Sequence, residues 1–598
     1  MKTPLPQTWN LERFFPGGSA SEEFGRFLDG LRQHIAEAEE LLSSTPAPAS
    51  PSEVSALLPL IALLQKASLQ IREADSFTGC LAAENQNDKR AVILGGQVRS
   101  LGAAYASALT RFDDLLTRIP DEAWEALLAL PELQEIRYPL EERRELAAEK
   151  LPPEQEALVN ELAVDGYHGW GELYNTTVSK FRVPYEENGV VTELSAGQAA
   201  NKMDSPQREV REKVFRRWEE QWSKHADYCA DALNHLGGFR LKLYERRGWE
   251  GILKEPLSIN RMSQETLDTM WKVIEDSKDV FVRYLERKAK LLGLPKLSWF
   301  DVDAPVGSGT GTISYDAGAE LIVSQFRRFS PKMADFAVKA FENGWIEAED
   351  RPGKRPGGFC TSFPVAEETR IFMTYAGSAS NVSTLAHELG HGYHQHVMND
   401  LPAFAQEYAM NVAETASTFA EMVVSDAAVK GAASEEERLT LIEDKIQRSV
   451  AFYMNIHARF LFETRFYDER SRGLVSVDRL NELMTEAQRE AYRGVLEEYH
   501  PHFWASKLHF YITEVPFYNF PYTFGYMFSA GLYAEALKRG EAFEDQYVAL
   551  LRDTGRMTVE ELAQKHLGVD LRRLEFWQGA MSMTVGDVEE FLRLTEQL

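Results

Sequence analysis

Apolar residues recur along most of the chain with the 3.6-residue period of an α-helix. Phe24, Phe27, Leu28, Leu31 and Ile35 share one face of a segment whose other face carries Glu, Arg and Gln. The pattern predicts a mainly α fold. It stops at 44–52, STPAPASPS, where three prolines cannot continue a helix and a loop is expected. A second break falls at 181–195, FRVPYEENGVVTELS, where Asn188-Gly189 between two β-prone runs signals a hairpin with a type I′ turn. We expect a domain boundary there, with an N-terminal helical lobe over 1–195 and a second domain over 196–598. The helical period returns from Pro206 to about Leu292. It breaks again at the Gly-rich run 301–312, DVDAPVGSGTGT, and over 351–375, where a turn and two short strands are expected.

The chain has 598 residues, 44% of them hydrophobic and 26% charged, an ordinary globular composition with room for a large core. Its net charge of −27 would repel a phosphate backbone and an anionic bilayer, so neither nucleic acid nor membrane is an expected partner. Cys80, Cys229 and Cys360 are too few and too scattered for a disulfide framework or a Cys-x-x-Cys zinc site. Lys2 is followed by Pro4 and Pro6 instead of an apolar signal core. Apolar stretches such as 56–64 fall short of the roughly 18 residues that span a bilayer. A reducing, cytoplasmic setting is expected. The Gly-rich run lacks the lysine and glycine positions of a phosphate-binding loop and reads as surface loop.

The chemistry concentrates in 381–398, NVSTLAHELGHGYHQHVM. Val382, Leu385, Leu389, Tyr393 and Val397 set a helical period, with Asn381 or Ser383 available as its cap. Histidines at i and i+4 are neighbours on one helix face, so His387 and His391 can grip one zinc ion while Glu388 lies beside its open position. An exposed His/Glu face is the plain alternative. His394 and Val397 stand where the metzincin pattern needs Gly and His, which excludes that variant. His394 lies about 4.5 Å further along the axis than His391, which suits an outer-sphere or cleft residue. A second helical pattern carries Glu407, Glu414 and Glu421. If the two helices turn back near residue 400, the point opposite Leu389 is near 411. Glu414 is then the favoured third ligand, Glu421 a candidate to orient an imidazole, and Glu407 a solvated carboxylate.

These residues carry a resemblance. The run 375–396 with its HELGH core, the following ETASTFAE at 414–421, and the stretches His509-Phe510-Tyr511, PFYNF at 516–520 and PYTFGYMFS at 521–529 resemble the thimet-oligopeptidase-like zinc peptidases. Within them they are similar to the bacterial oligoendopeptidase F group. The likeness runs from about 200 to 590. It implies a two-lobed helical zincin with a small β-sheet at the active-site cleft, one zinc ion on the floor of a deep channel, and short unstructured peptides cut internally. It matches Tyr526 to the tyrosine that hydrogen-bonds the tetrahedral intermediate. The thimet branch has a histidine and a further tyrosine in a Gly-rich loop upstream. Here that loop is EVPFYNFPY, so those roles fall to His509, Tyr518 and Tyr522, with core packing the competing reading for the tyrosines.

In the mechanism these parts imply, zinc lowers the pKa of its water, Glu388 takes the proton and returns it to the leaving amine, and Tyr526 steadies the oxyanion. A peptide is expected to add as an antiparallel edge strand along 371–375, with Tyr375, Ala376 and Gly377 as substrate contacts and broad specificity as the result. The overall charge favours cationic peptides. Two rival functions stand beside this one: a zinc exopeptidase or amidohydrolase, and a catalytically silent peptide-binding protein, against which the presence of Glu388 argues. The sequence sets no oligomeric state.

Overall fold

A computed structural model describes residues 1, 4–307, 311–355 and 357–598. Lys2, Thr3, residues 308–310 of the Gly-rich run, and Pro356 lie outside the described residues. Helices dominate, with a two-stranded and a three-stranded sheet among the described residues. The chain divides into two compact units, each assembled from three stretches. The first comprises Met1–Lys150, Gly311–Ala427 and Glu535–Val569, and the second Leu151–Thr310, Ala428–Ala534 and Asp570–Leu598. The expected hairpin forms from Val183–Glu187 and Val190–Leu194, with Asn188 at φ 53° and Gly189 at φ 77°, the left-handed values a type I′ turn requires. It lies within the second unit, whereas the sequence reading sets its boundary at residue 195.

In the first unit, the helix Glu22–Ser44 is capped by Ser21, whose side chain accepts from the Phe24 N–H, and it buries Phe24, Leu28, Leu31 and Ile35. The helix Leu58–Glu84 serves two cores. Leu60, Ile61 and Leu64 pack with Leu31 and Phe112, while Ala74 and Phe77 pack with Phe24, Phe363 and Phe372. The helical segment Val54–Glu84 is long and apolar enough to cross a membrane by length and composition, on the strength of one 18-residue window. In this fold Leu57, Leu60, Ile61, Leu64, Ala67, Ala74 and Phe77 of that segment are core.

The second of those cores underlies the three-stranded sheet, whose order is Ile346–Glu347, Glu368–Phe372, Phe359–Phe363. The expected docking strand at 371–375 is corrected by this topology. Regular strand ends at Phe372, and Glu368–Phe372 is the middle strand, parallel to one neighbour and antiparallel to the other. The N–H groups of Ile371, Met373 and Tyr375 donate to the carbonyls of Trp345, Glu347 and Ala348, each at 2.9 Å. They are not available to a peptide. The outer strand on the other side is Phe359–Phe363.

The second unit is built on long helices, among them Arg208–Arg247, Gln264–Leu291 and Leu574–Leu594. It buries a close ion pair between two helices. Lys288 Nζ meets Glu443 Oε1 at 2.9 Å with both side chains sealed from water. A helical run from Glu435 to Arg470 is interrupted by a π-turn at Ala451–Asn455, a feature common near functional groups because it redirects side chains within a helix.

Candidate metal centre

The motif helix spans Ala379–His396. Its cap is Ser378, whose hydroxyl accepts from the Asn381 N–H, and not Asn381 or Ser383 as expected. Asn381 is the third helical residue and closes a capping box, its Oδ1 accepting from Ser378 N–H and from Ala376 N–H at 2.8 Å. Val382, Leu385, Leu389 and Tyr393 are buried, leaving His387 and His391 partly exposed on another face.

After residues 397–409, with a 3-10 turn at Ala403–Gln406, the chain forms the helices Met410–Ala413 and Thr415–Gly431. A Cβ on Gly390 would stand 2.5 Å from both Ala416 O and Ser417 Cα. The two helix backbones therefore touch, and only glycine permits it. The contact lies beyond the residue 411 that a tight return would give, because the connection is a turn, a 3-10 segment and a short extended stretch. Glu414, at the joint between the two short-connected helices, is thereby held against the histidines.

His387 Nε2 lies 3.2 Å and His391 Nε2 3.5 Å from Glu414 Oε2, and the three ligand atoms fall within 4.8 Å of one another. Ligands about 2.0–2.2 Å from a tetrahedral zinc stand roughly 3.3–3.5 Å apart, so the donor set fits such an ion. Each ligand is braced. Glu421 Oε2 is 3.1 Å from His387 Nδ1, which as donor leaves the Nε2 lone pair facing Glu414. His391 hydrogen-bonds the Ala413 backbone. The Ser417 hydroxyl donates to Glu414 Oε2 at 2.7 Å. Burial raises the Glu414 carboxyl, but the two imidazoles and Ser417 outweigh it and hold it down to about 2. Burial pushes His391 down to about 4, against the pull of Glu414. Lone-pair imidazoles and an ionised carboxylate are the forms that bind a cation.

Glu388 is buried, and burial raises its carboxyl to about 7, with Glu414 adding to the rise and His387 opposing it. A Cβ on Gly358 would stand 3.7 Å from Glu388 Oε1, so the outer strand Phe359–Phe363 begins beside this carboxylate. His394 is fully buried, its ring stacked 4.3 Å from Tyr408 and its Nε2 2.9 Å from Thr554 Oγ1. Glu407 is exposed and lies 3.5 Å from Arg143.

The other residues singled out fall in two places. In the first unit, the Tyr375 hydroxyl donates to Ile313 O at 3.1 Å, Ala376 is exposed, and the Gly377 carbonyl accepts from Ile313 N–H at 2.8 Å. In the second unit, His509, Tyr518 and Tyr522 form a partly exposed cluster, with the two tyrosine hydroxyls 3.4 Å apart and the His509 ring 5.0 Å from that of Tyr518. Tyr526 is buried, stacked 4.4 Å from Phe452, with its hydroxyl 2.8 Å from Ser449 Oγ. The sequence reading missed Ser417, the Ala413 carbonyl and the Gly358 approach. None has a motif, although ETAS places a hydroxyl three residues after Glu414, on the same helical face.

The chain matches the model for peptidase family M3 over residues 324–583 and that for oligopeptidase F over 116–182. It is 23% identical over 541 residues to oligopeptidase PepF of Bacillus subtilis, spanning 88% of this chain and 78% of the relative. It is likewise 23% identical over 437 residues to an oligoendopeptidase F homolog of Lactococcus lactis, spanning 71% of each. Among solved structures, one from Chlamydophila abortus aligns with a TM-score of 0.82 at 18% identity over 98% of both chains. Oligoendopeptidase-F from Enterococcus faecium aligns with a TM-score of 0.70 at 19% identity, over 96% of this chain and 99% of that one.

Proposed function

The chain belongs to peptidase family M3, a metallopeptidase family, and from that premise we propose that it is a zinc-dependent endopeptidase that hydrolyses internal bonds of short peptides. The observation that carries the reading is the set His387, His391 and Glu414, spaced for one ion, with the carboxylate of Glu388 alongside. Zinc, when bound there, supplies Lewis acidity and lowers the pKa of a water. Glu388 accepts a proton as water attacks the scissile carbonyl and delivers it to the departing amine, a role suited to a carboxyl poised near neutrality by burial. Glu421 keeps His387 in one tautomer through the reaction.

The peptide backbone pairs with the outer strand Phe359–Phe363, whose start at Gly358 approaches Glu388; main-chain pairing ignores side chains and gives broad specificity. On the family resemblance alone we assign Tyr526 the role of oxyanion donor and His509, Tyr518 and Tyr522 that of substrate contacts. We place the enzyme in a reducing cytoplasm, in keeping with its free cysteines.

The test is hydrolysis of an internally quenched peptide blocked at both ends. Chelator should abolish it and zinc restore it, while Glu388→Gln should keep the metal and lose roughly 10²–10⁴-fold in kcat. Full activity in Glu388→Gln would refute the mechanism. Cleavage confined to a free terminus would make the enzyme an exopeptidase.

A further inference from the structure

In the second unit, Arg459, Phe503, Lys507, His509 and Asn519 meet around a feature that the peptidase mechanism leaves unused. Arg459 follows the π-turn Ala451–Asn455, and its Nε donates to Asn455 Oδ1 at 2.8 Å. Its Nη1 donates to Asn519 Oδ1 at 2.8 Å, and the same oxygen lies 2.6 Å from His509 Nδ1. The guanidinium carbon and the Lys507 ammonium each lie 5.2 Å from the centroid of the Phe503 ring. The cations are thus fixed by neutral amides and an aromatic ring, and among the described residues neither has a carboxylate within ion-pairing distance. Asp303 acts on Lys507 only at longer range. Arg459 Nη2 and Lys507 Nζ have no protein acceptor among the described residues, and both side chains are half-buried.

By contrast Lys288 and Arg211, also buried in this chain of net charge −27, are paired with Glu443 and Asp301. Two cations ranged on one ring in a part-dry setting, with no carboxylate beside either, favour an anion that joins them. The neighbourhood registers that repulsion. Burial and Arg459 push the Lys507 ammonium down to about 8, and burial with both cations pushes His509 down to about 4 although Asn519 opposes it. Asn519, 1% exposed, gives its oxygen to the two bases and has a buried Nδ2 without a partner, one further donor.

We propose that Arg459 and Lys507 form a carboxylate-binding site that takes the anionic group of a peptide, either its free C-terminus or an acidic side chain. The choice of a peptide carboxylate rests on the peptidase reading; the unspent donors do not. The test is calorimetric binding to the full chain of four short peptides: a free acid and its C-terminal amide, and a blocked pair differing by internal Glu against Gln. In the wild type, one acid-bearing peptide should bind roughly tenfold or more tightly than its neutral twin, as charged hydrogen bonds require. Which pair shows it identifies the source of the carboxylate. Lys507→Met, which removes a charge and no hydrogen bond, should erase most of the difference and leave the neutral twin's affinity unchanged; Arg459→Gln should do the same. Equal binding within both pairs, or a preference that survives Lys507→Met, would overturn the site. Absence of hydrolysis with the acid preference intact would count against the peptidase reading alone.

Discussion

His387, Glu388 and His391 come from five consecutive residues of one helix, whereas Arg459, Phe503, Lys507, His509 and Asn519 come from separate segments spread over the second unit. The first region gathers carboxylates around imidazoles that need a cation. The second gathers cations around an aromatic ring and amides that need an anion. The net charge of −27 favours cationic peptides, whereas the second region sets two cations with no carboxylate within ion-pairing distance among the described residues. Long-range charge is screened within about 10 Å at ordinary salt, so at contact the near groups decide.

The contrast is sharpest where the metal is removed at its source. Glu414→Ala should lose its metal on dialysis and with it nearly all hydrolysis, while Lys507→Met should retain full metal, both read by elemental analysis. Metal loss in Lys507→Met would merge the two regions into one functional unit. Next in size is Tyr526→Phe, expected to lower kcat by roughly 10²-fold as the loss of one oxyanion donor does. Its hydroxyl now rests 2.8 Å from Ser449, so an unchanged kcat with lowered thermal stability would assign it to packing. Glu421→Gln should weaken metal affinity by about 10–100-fold, the usual scale for an outer-sphere partner, with Glu407→Gln as the unaffected control. Equal losses in the two variants would remove Glu421 from its role as the brace of His387.

The smallest effect is a pH dependence. The ammonium of Lys507, pushed down to about 8, should lose its charge as pH rises through that value, where an ordinary lysine would keep it. Arg459 stays charged, His509 stays neutral from pH 5 upward, and Asp303 pulls the other way at longer range. The preference for acid over amide peptides should therefore fade between about pH 7 and 9. In Lys507→Arg it should persist to higher pH, because a guanidinium does not titrate there. A flat profile in the wild type would overturn the two-cation site, as would a preference that survives Lys507→Met.

Much of the first region was legible because its geometry is local. Histidines at i and i+4 face the same way on any helix, and the Asn188-Gly189 turn dictates its own φ values. Glu414 was within reach of simple turn arithmetic, although the true crossing is fixed by Gly390 against Ala416 and Ser417. The peptide edge was misplaced for a plain reason. Strand propensity at 371–375 is real up to Phe372, but propensity cannot say which strand lies in the middle. A two-residue strand at Ile346–Glu347, too short to announce itself, took one side.

The sequence by itself determined the helical character of the chain, the paired imidazoles with their neighbouring carboxylate, and the hairpin, since each depends on residues a few positions apart and on backbone geometry common to all chains. Only the tertiary structure decided which glutamate closes the donor set, which strand is outermost, and which cations lack a counter-charge. These depend on which segments meet, and pairing or its absence is a property of neighbours in space that no local period records.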